Sequence, residues 1–328
     1  MNYIAGQHKE NLSYMELKII KLSRIRACIV VLVFLTVGIL VWSTLRSYRD
    51  PVVTEVTIES SKVTNPVRYV FIADLHENIF GENNQPLYNQ LKELDPDFIL
   101  IGGDLINWTT ADGRPYAKDV IENLSKISNV YYSLGNHEIE YLKKRNEIEY
   151  TNNDRDNSAF KLIEKDDGGF LATIRNAGGT VLQKTWTDIE VNGTKIRIGA
   201  AYEDMYSLDE DNPSLTMQSG MYSFLSNFQN TEALKLYLAH RPSSFLNGNG
   251  SSLFDIDVVM SGHEHGGQVV LPFVGGLFSR ERGFFPNYTD GSFMIRDTMF
   301  IVTSGLGSDD ELLPRVNNPP EIFWVTIQ

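Results

Sequence analysis

The segment VRYVFIADLH, residues 67–76, sets the reading of this chain. A run dominated by β-branched and aromatic side chains ends abruptly in Asp74, Leu75 and His76. A short apolar run closed by polar groups is a buried strand whose end opens into a loop. The pattern repeats along the chain. FILI (98–101) ends in Gly102-Gly103-Asp104, and VYYSL (130–134) in Gly135-Asn136-His137-Glu138. LYLA (236–239) ends in His240, and IDVVM (256–260) in Ser261-Gly262-His263. Helical patterns at 85–94, 116–127 and 230–235 fall between these runs. Strands alternating with helices predict an α/β architecture. In such sheets the loops just past the strand ends are where ligands bind. Residues 181–188, 188–192 and 195–200 read as further strands, with Asn192-Gly193 as a hairpin turn. Residues 138–169 are highly charged and read as an exposed excursion, either a solvated helix pair or a lid over the site.

The histidines carry the chemistry. His8 lies in the N-terminal tail; His76, His137, His240, His263 and His265 all follow strand-like runs, in glycine-rich or acidic company. Singly, each candidate has an ordinary explanation. Asp74 and Asp104 suit turns, Asn136 tolerates a left-handed turn position, and histidines are common surface groups. Together, Asp74, His76, Asp104, Asn136, His240, His263 and His265 supply nitrogen and oxygen donors and no thiolate. That set suits Mn²⁺, Fe²⁺, Zn²⁺ or Co²⁺ and disfavours a soft-metal site. An i, i+2 pair can turn two donors toward cations where a strand curls. The two oxygens of Asp104 can bridge two cations. Asn136 can ligate through its amide oxygen while His137 stays free to donate a hydrogen bond.

The ordered set D-x-H, G-D, G-N-H-E, a lone H and G-H-x-H resembles the calcineurin-like metallophosphoesterases, over residues 67–328. Within that family the chain looks most like the membrane-associated branch related to bacterial cell-envelope phosphodiesterases and UDP-diacylglucosamine hydrolases. Leu238-Ala239-His240-Arg241-Pro242, the stretch from Gly262 through Gln268, Ser304-Gly305-Leu306-Gly307 and Pro320-Glu321-Ile322 carry that likeness. The resemblance implies a four-layer α/β/β/α sandwich and two divalent metal ions, with Mn²⁺ favoured for activity. It implies Asp74, His76 and His265 on one metal, Asn136, His240 and His263 on the other, and Asp104 between them. His137 would not ligate; it would sit near the phosphoryl oxygen or the leaving group.

Phosphate esters resist hydrolysis because the anion repels hydroxide and the leaving alkoxide is poor. Two cations about 3.5–4 Å apart lower the pKa of a water between them and hold the phosphoryl oxygens, so hydroxide attacks in line with the leaving oxygen. His137, with its tautomer fixed by Glu138 or another acid, would offset charge on the departing side. No serine or cysteine nucleophile is needed. Arg241 and Arg280 follow ligand loops and are candidates for binding a phosphate at the opening. The stretch LPFVGGLFSRERGFF, residues 271–285, is unusually apolar for a loop, which suits a lipid wall or a bilayer contact as well as sheet-edge or core packing. The expected activity is hydrolysis of a phosphodiester or pyrophosphate bond in an envelope, cell-wall or lipid-linked substrate. A phosphomonoesterase with the same metals and a catalytically silent interaction domain are the alternatives.

Outward from this core, the N-terminal 50 residues differ from the rest. They hold seven basic and three acidic residues, whereas the remainder holds 22 basic and 39 acidic ones within a net charge of −13. An acidic domain of this kind argues against a nucleic-acid partner. Residues 27–45 carry no charge and, as helix, span about 28 Å, near the thickness of a bilayer core. A membrane anchor is the expectation; a signal peptide would need a shorter apolar core and a small-residue cleavage site, and a core helix would need protein around it. Lys18, Lys21, Arg24 and Arg26 precede the stretch, and Arg46 and Arg49 follow it. The positive-inside rule then puts residues 1–26 in the cytoplasm and the domain outside a cell membrane crossed once. Residues 46–65 are expected to form a stem and 66–328 the phosphoesterase domain. The single cysteine, Cys28, lies in the anchor and excludes a disulfide framework.

Overall fold

The computed structural model describes residues 2–49, 51–150, 160–163, 168–202, 219–246, 250–308 and 313–328. In chain order the main elements are α1 (Asn2–Arg46), β1 (Val52–Ile58), β2 (Val67–Ile72), α2 (Gln85–Leu94), β3 (Phe98–Ile101), α3 (Arg114–Ser125), β4 (Asn129–Ser133) and α4 (Asn136–Lys144). There follow α5 (Gly169–Asn176), β5 (Gly179–Leu182), β6 (Thr185–Val191), β7 (Thr194–Ala200), α6 (Ser219–Phe228), β8 (Leu234–Leu238) and β9 (Val258–Ser261). Strands β10 (Gly291–Ile295), β11 (Thr298–Val302) and β12 (Glu321–Ile327) complete the framework.

The strands form two six-stranded sheets, ordered β1-β12-β2-β3-β4-β5 and β10-β11-β9-β8-β7-β6. Strands β2 to β5 are parallel in the first sheet, and β7, β8, β9 and β11 in the second. Alternation along each strand sorts the side chains. Val67, Tyr69 and Phe71 of β2 pack with Ile196, Leu236, Val258 and Ile301 between the sheets. Val70 and Ile72 face the other way, onto Leu87, Leu91, Val120, Ile121 and Phe170 of the helices. On the far side of the second sheet, Tyr237, Val259 and Phe300 pack on Phe224, Leu225 and Phe228 of α6. Three separate apolar clusters between successive layers make the fold a helix–sheet–sheet–helix sandwich, as the resemblance implied.

Several local expectations change. Val52–Ile58, within the expected stem, is an edge strand paired in parallel with the C-terminal strand β12. Its partner lies at the opposite end of the chain, so local pattern alone could not reveal it. Residues 230–235 are not helical. Thr231 Oγ1 accepts from Ala233 N at 3.2 Å and Asp257 Oδ2 from Lys235 N at 2.8 Å, turning the chain directly into β8. The expected run 181–188 is broken by Lys184 at φ 51° into β5 and β6. Asn192 and Gly193 take φ of 51° and 82° in the tight turn joining β6 to β7, as their type requires. Within 138–169 the described residues form α4, the start of α5 and a short antiparallel ladder of Ile148–Tyr150 with Phe160–Leu162, rather than a helix pair. Residues 151–159 and 164–167, which the expected lid would include, lie outside the described residues.

Helix α1 is longer than the uncharged stretch and continues through the basic segment to Asn2. Every side chain from residue 24 to 42 is exposed, Phe34 and Trp42 at 73% and 63%. Its C-terminal end is tied to the domain. Ser47 Oγ accepts from Asn318 N at 3.0 Å, and Tyr48 Oη from Arg315 N at 2.9 Å.

Candidate metal centre

The ends of β2, β3 and β4 in one sheet and of β8 and β9 in the other converge. Asp74, His76 and His265 bring ligand atoms within 4.8 Å of one another; so do His76, Asp104 and His137, and so do Asp104, His240 and His263. Asn136 joins the third group, its Oδ1 lying 3.0 Å from His240 Nε2. All seven expected ligands and His137 therefore meet, with Asp104 common to two groups. Asp74, His76, Asp104, His263 and His265 have φ between 47° and 71°, which side chains other than glycine adopt at a cost. Strain of this kind persists where the surroundings enforce it, commonly at functional sites.

Close approach fixes two glycines. A Cβ on Gly135 would lie 2.1 Å from Asp104 Oδ1, and one on Gly262 would lie 2.4 Å from Asp74 Oδ2. Asp104 Oδ1 accepts from His137 N at 2.8 Å, capping the start of α4 from another strand. Asp74 accepts from His263 N through both oxygens, at 3.0 and 3.1 Å.

Each candidate ligand histidine has a ring nitrogen engaged by a protein acceptor. His240 Nδ1 donates to Gly102 O at 2.8 Å, His265 Nδ1 to Gly307 O at 3.2 Å and His76 Nδ1 to Asn107 Oδ1 at 3.1 Å. These bonds leave Nε2 as the nitrogen of all three that would face a metal. His263 differs: its Nε2 lies 3.0 Å from Glu281 Oε1, leaving Nδ1. His137 is the converse case. Its Nδ1 accepts from Trp108 N at 3.2 Å, so the neutral ring carries its proton on Nε2, which points toward Asp104 Oδ2 at 4.0 Å. Glu138 does not orient His137. It is fully buried and accepts from the backbone N–H of Asp104, Leu105 and Gly135 at 2.8 Å and of Ile106 at 3.2 Å. It pins the loop carrying Asp104, and the anticipated Glu138–His137 pairing gives way to a backbone contact with Trp108.

Electrostatics in the cluster are extreme. Burial pushes the Asp74 carboxyl up to about 7, with Asp104 acting in the same sense and His240 against. Burial also favours the neutral form of Asp104, but His240, His137 and His76 outweigh it and hold that carboxyl well below the usual range. Burial lowers His240, yet Asp104 and Asp74 carry it up to about 9.

The residues fit divalent cations. Asp104 Oδ2 is buried and accepts no hydrogen bond. Three imidazole nitrogens surround it instead, His240 Nε2 at 3.2 Å, His76 Nε2 at 3.8 Å and His137 Nε2 at 4.0 Å. Buried oxygen left without a hydrogen is costly unless a cation completes it.

A profile of the family described as calcineurin-like phosphoesterase matches residues 67–267, from the start of β2 through the histidine pair. The chain belongs to this family. It is a metal-dependent phosphoesterase, and the family uses two divalent metals. It is 26% identical over 303 residues to the uncharacterized metallophosphoesterase Cj0846 of Campylobacter jejuni, covering 90% of this chain and 68% of that one. It is 26% identical over 289 residues to the uncharacterized metallophosphoesterase YkuE of Bacillus subtilis, covering 84% and 85%. Among solved structures, phosphopantetheinyl hydrolase of Mycobacterium tuberculosis aligns with a TM-score of 0.40 at 12% identity, covering 73% of this chain and 89% of that one. The NAD nucleotidase of Haemophilus influenzae aligns with a TM-score of 0.41 at 14% identity over 74% of this chain, which spans only 45% of it.

In this phosphoesterase the two arginines expected at the opening separate. Arg280 is exposed and lines the cleft with His137, His263, Gln268 and Phe278. Arg241 is turned aside, its Nε 3.2 Å from Glu281 Oε1 and its guanidinium 5.5 Å from the Tyr202 ring centre. Three supporting residues escaped the sequence reading. Asn107 orients His76 and also donates to His76 O at 2.8 Å. Glu281 contacts His263. Arg315, 1% exposed, donates to the carbonyls of Asn318, Gly307, Gly305 and Pro319 at 2.6–3.2 Å, holding the turn that packs on Asp74. Arg315→Met is expected to remove these four charge-assisted hydrogen bonds, worth about 1.5–3 kcal/mol each before the cost of burying the guanidinium is set against them, and to destabilise the fold by on the order of 4 kcal/mol. Urea unfolding measures this; a loss under about 1 kcal/mol contradicts it.

Metal loading of the phosphoesterase is expected to release protons. To act as ligands, Asp74 would have to be ionised and His240 neutral, whereas without metal they titrate at about 7 and about 9. Apparent affinity therefore rises with pH through that window. Titration calorimetry in buffers of different ionisation enthalpy counts the protons, and pH-independent affinity would refute the expectation.

Proposed function

We propose that this chain is a membrane-anchored dimetal phosphohydrolase, cleaving a phosphodiester or pyrophosphate bond of an envelope or lipid-linked substrate. The meeting of three donor groups, two of which share Asp104, carries the reading. Asp74, His76 and His265 would hold one cation and Asn136, His240 and His263 the other, with Asp104 placed to serve both. When bound, the cations supply positive charge for the phosphoryl oxygens and acidify water. The chain's own residues do the rest. Gly102, Asn107 and Gly307 orient the imidazoles, and Glu138 fixes the Asp104 loop. His137, whose Nε2 points toward Asp104 Oδ2, would serve the leaving oxygen, and Arg280, in the cleft wall, would meet a phosphate.

Two observations favour an apolar, membrane-bound substrate. The uncovered apolar side chains of α1 each forfeit about 1.5–3 kcal/mol in water, which a bilayer would recover. Phe278 of the cleft wall meets Phe284 at 5.2 Å between ring centres, and Phe284 meets Phe285 at 6.4 Å. The latter two are 68% and 58% exposed, so an aromatic strip leads outward from the cleft. The charge bias about α1 favours a cytoplasmic N-terminus and an extracytoplasmic domain at the cell membrane.

The full chain in detergent with Mn²⁺ is expected to hydrolyse an activated aryl phosphodiester and to stop with chelator. Matched monoesters should be slower; faster monoester turnover would assign a phosphomonoesterase instead. A folded, metal-loaded protein inactive on mono- and diesters and pyrophosphates alike would overturn the reading. A C-terminal reporter active only in the cytoplasm would overturn the orientation.

A further inference from the structure

Glu281 sits at the tip of a hairpin formed by Phe278–Ser279 and Gly283–Phe284. Its backbone is at the surface, but its carboxylate turns inward and its side chain is only 24% exposed. Oε1 lies 3.0 Å from His263 Nε2 and 3.2 Å from Arg241 Nε. Oε2 accepts from Ser243 Oγ at 2.9 Å. One carboxylate thus touches the histidine of one ligand loop and two residues of the loop that follows His240. The tip itself is held in register. Ser279 Oγ accepts from Glu281 N and Arg282 N, each at 3.2 Å, and Arg282 Nη2 lies 2.9 Å from the buried Glu264 between the paired histidines.

We propose that Glu281 is a positioning residue for the second metal site, fixing His263 so that Nδ1 faces the cation and locking the His240 loop to it. The inference rests on the dimetal reading above. Its chemistry is that of a carboxylate–histidine–metal relay. The acid takes the distal N–H of the ring, sets its tautomer and orientation and raises its basicity, and removing such a partner typically weakens metal binding about 10–100-fold. His76 and His265 are oriented by Asn107 and by the Gly307 carbonyl, on other loops. The effect is therefore selective: Glu281 governs the cation at Asn136, His240 and His263 and leaves the other alone.

Mn²⁺ titration of the full chain in detergent, read by electron paramagnetic resonance and equilibrium dialysis, tests this. Wild type should give the signal of a spin-coupled manganese pair once two equivalents are bound. Glu281→Gln and Glu281→Ala should bind one equivalent at wild-type affinity and show an uncoupled manganese signal. The coupled signal should return only at about 10–100-fold higher Mn²⁺. Ser243→Ala, which removes one donor and keeps the carboxylate, should weaken the second site by less. Glu281 variants that load both equivalents like wild type would overturn the inference. Equal weakening of both sites in a variant whose circular dichroism and melting are unchanged would overturn it too. If Glu281→Ala fails to fold, Glu281→Gln and Ser243→Ala carry the same comparison. A wild type that never shows a coupled pair would sink the dimetal reading itself, and this inference with it.

Discussion

Replacing Asp104 with asparagine is expected to cut turnover at least about 10³-fold, equivalent to about 4 kcal/mol of transition-state stabilisation, and to abolish the coupled metal pair. The substitution is nearly isosteric. The oxygen that accepts from His137 N at 2.8 Å is kept, so α4 should start as before. What disappears is the buried charge on Oδ2, faced by three imidazole nitrogens at 3.2–4.0 Å. A neutral amide cannot bridge two cations with comparable strength. The metal-free protein offers an independent readout. Asp104 is the main group raising His240 to about 9 against burial, so in Asp104→Asn that histidine should titrate at lower pH. The linkage has a definite sign. A folded pKa above the ordinary 6.5 contributes stability fully present below that value and lost as pH rises through about 9. Wild type should exceed the metal-free variant in stability around neutrality, and the gap should close above about pH 9. Unchanged turnover, or a His240 titration that does not move, would contradict this account of Asp104.

His137→Ala should separate catalysis from metal binding. Both cations should remain, while turnover falls about 10²–10⁴-fold, the range for loss of a positioned proton donor. The ring is almost fully buried, and Trp108 N holds its Nδ1, so its proton sits on Nε2 toward the cluster. The defect should depend on the leaving group. An aryl ester with a stable leaving anion needs little help and should lose least; an alkyl ester should lose most. Equal losses on both would assign His137 to phosphoryl binding rather than to the departing oxygen. Loss of a cation would make it a ligand.

Much of the fold and the site could be read locally, for a physical reason. Each candidate ligand follows a short buried strand, and such strands are apolar runs with abrupt polar ends. Asp74, Asp104, Asn136, His240 and His263 stand at five such ends, so pattern and chemistry point to the same positions. What escaped notice depends on partners distant in sequence. Val56 and Ile58 alternate like any edge strand, yet only pairing with Val325 and Ile327 makes them part of the sheet. Arg315 looks like loop charge until the carbonyls of residues 305, 307, 318 and 319 fold around it. Glu281 lies between two arginines, the usual appearance of a solvated hairpin tip. Its role depends on His263 and on the loop after His240. Glu138 is next to His137 in sequence, but its partners in space are the backbone N–H groups of the Asp104 loop. A helix start directs adjacent side chains about 100° apart, so Glu138 turns into the core while His137 turns to the cleft.

The central claim is that two cations share Asp104, and anomalous diffraction at the manganese edge from crystals grown with Mn²⁺ tests it most directly. Two peaks about 3.5–4 Å apart are predicted on either side of the Asp104 carboxylate. One should contact Asp74, His76 and His265, the other Asn136, His240 and His263. A single peak, or peaks remote from Asp104, would contradict the account.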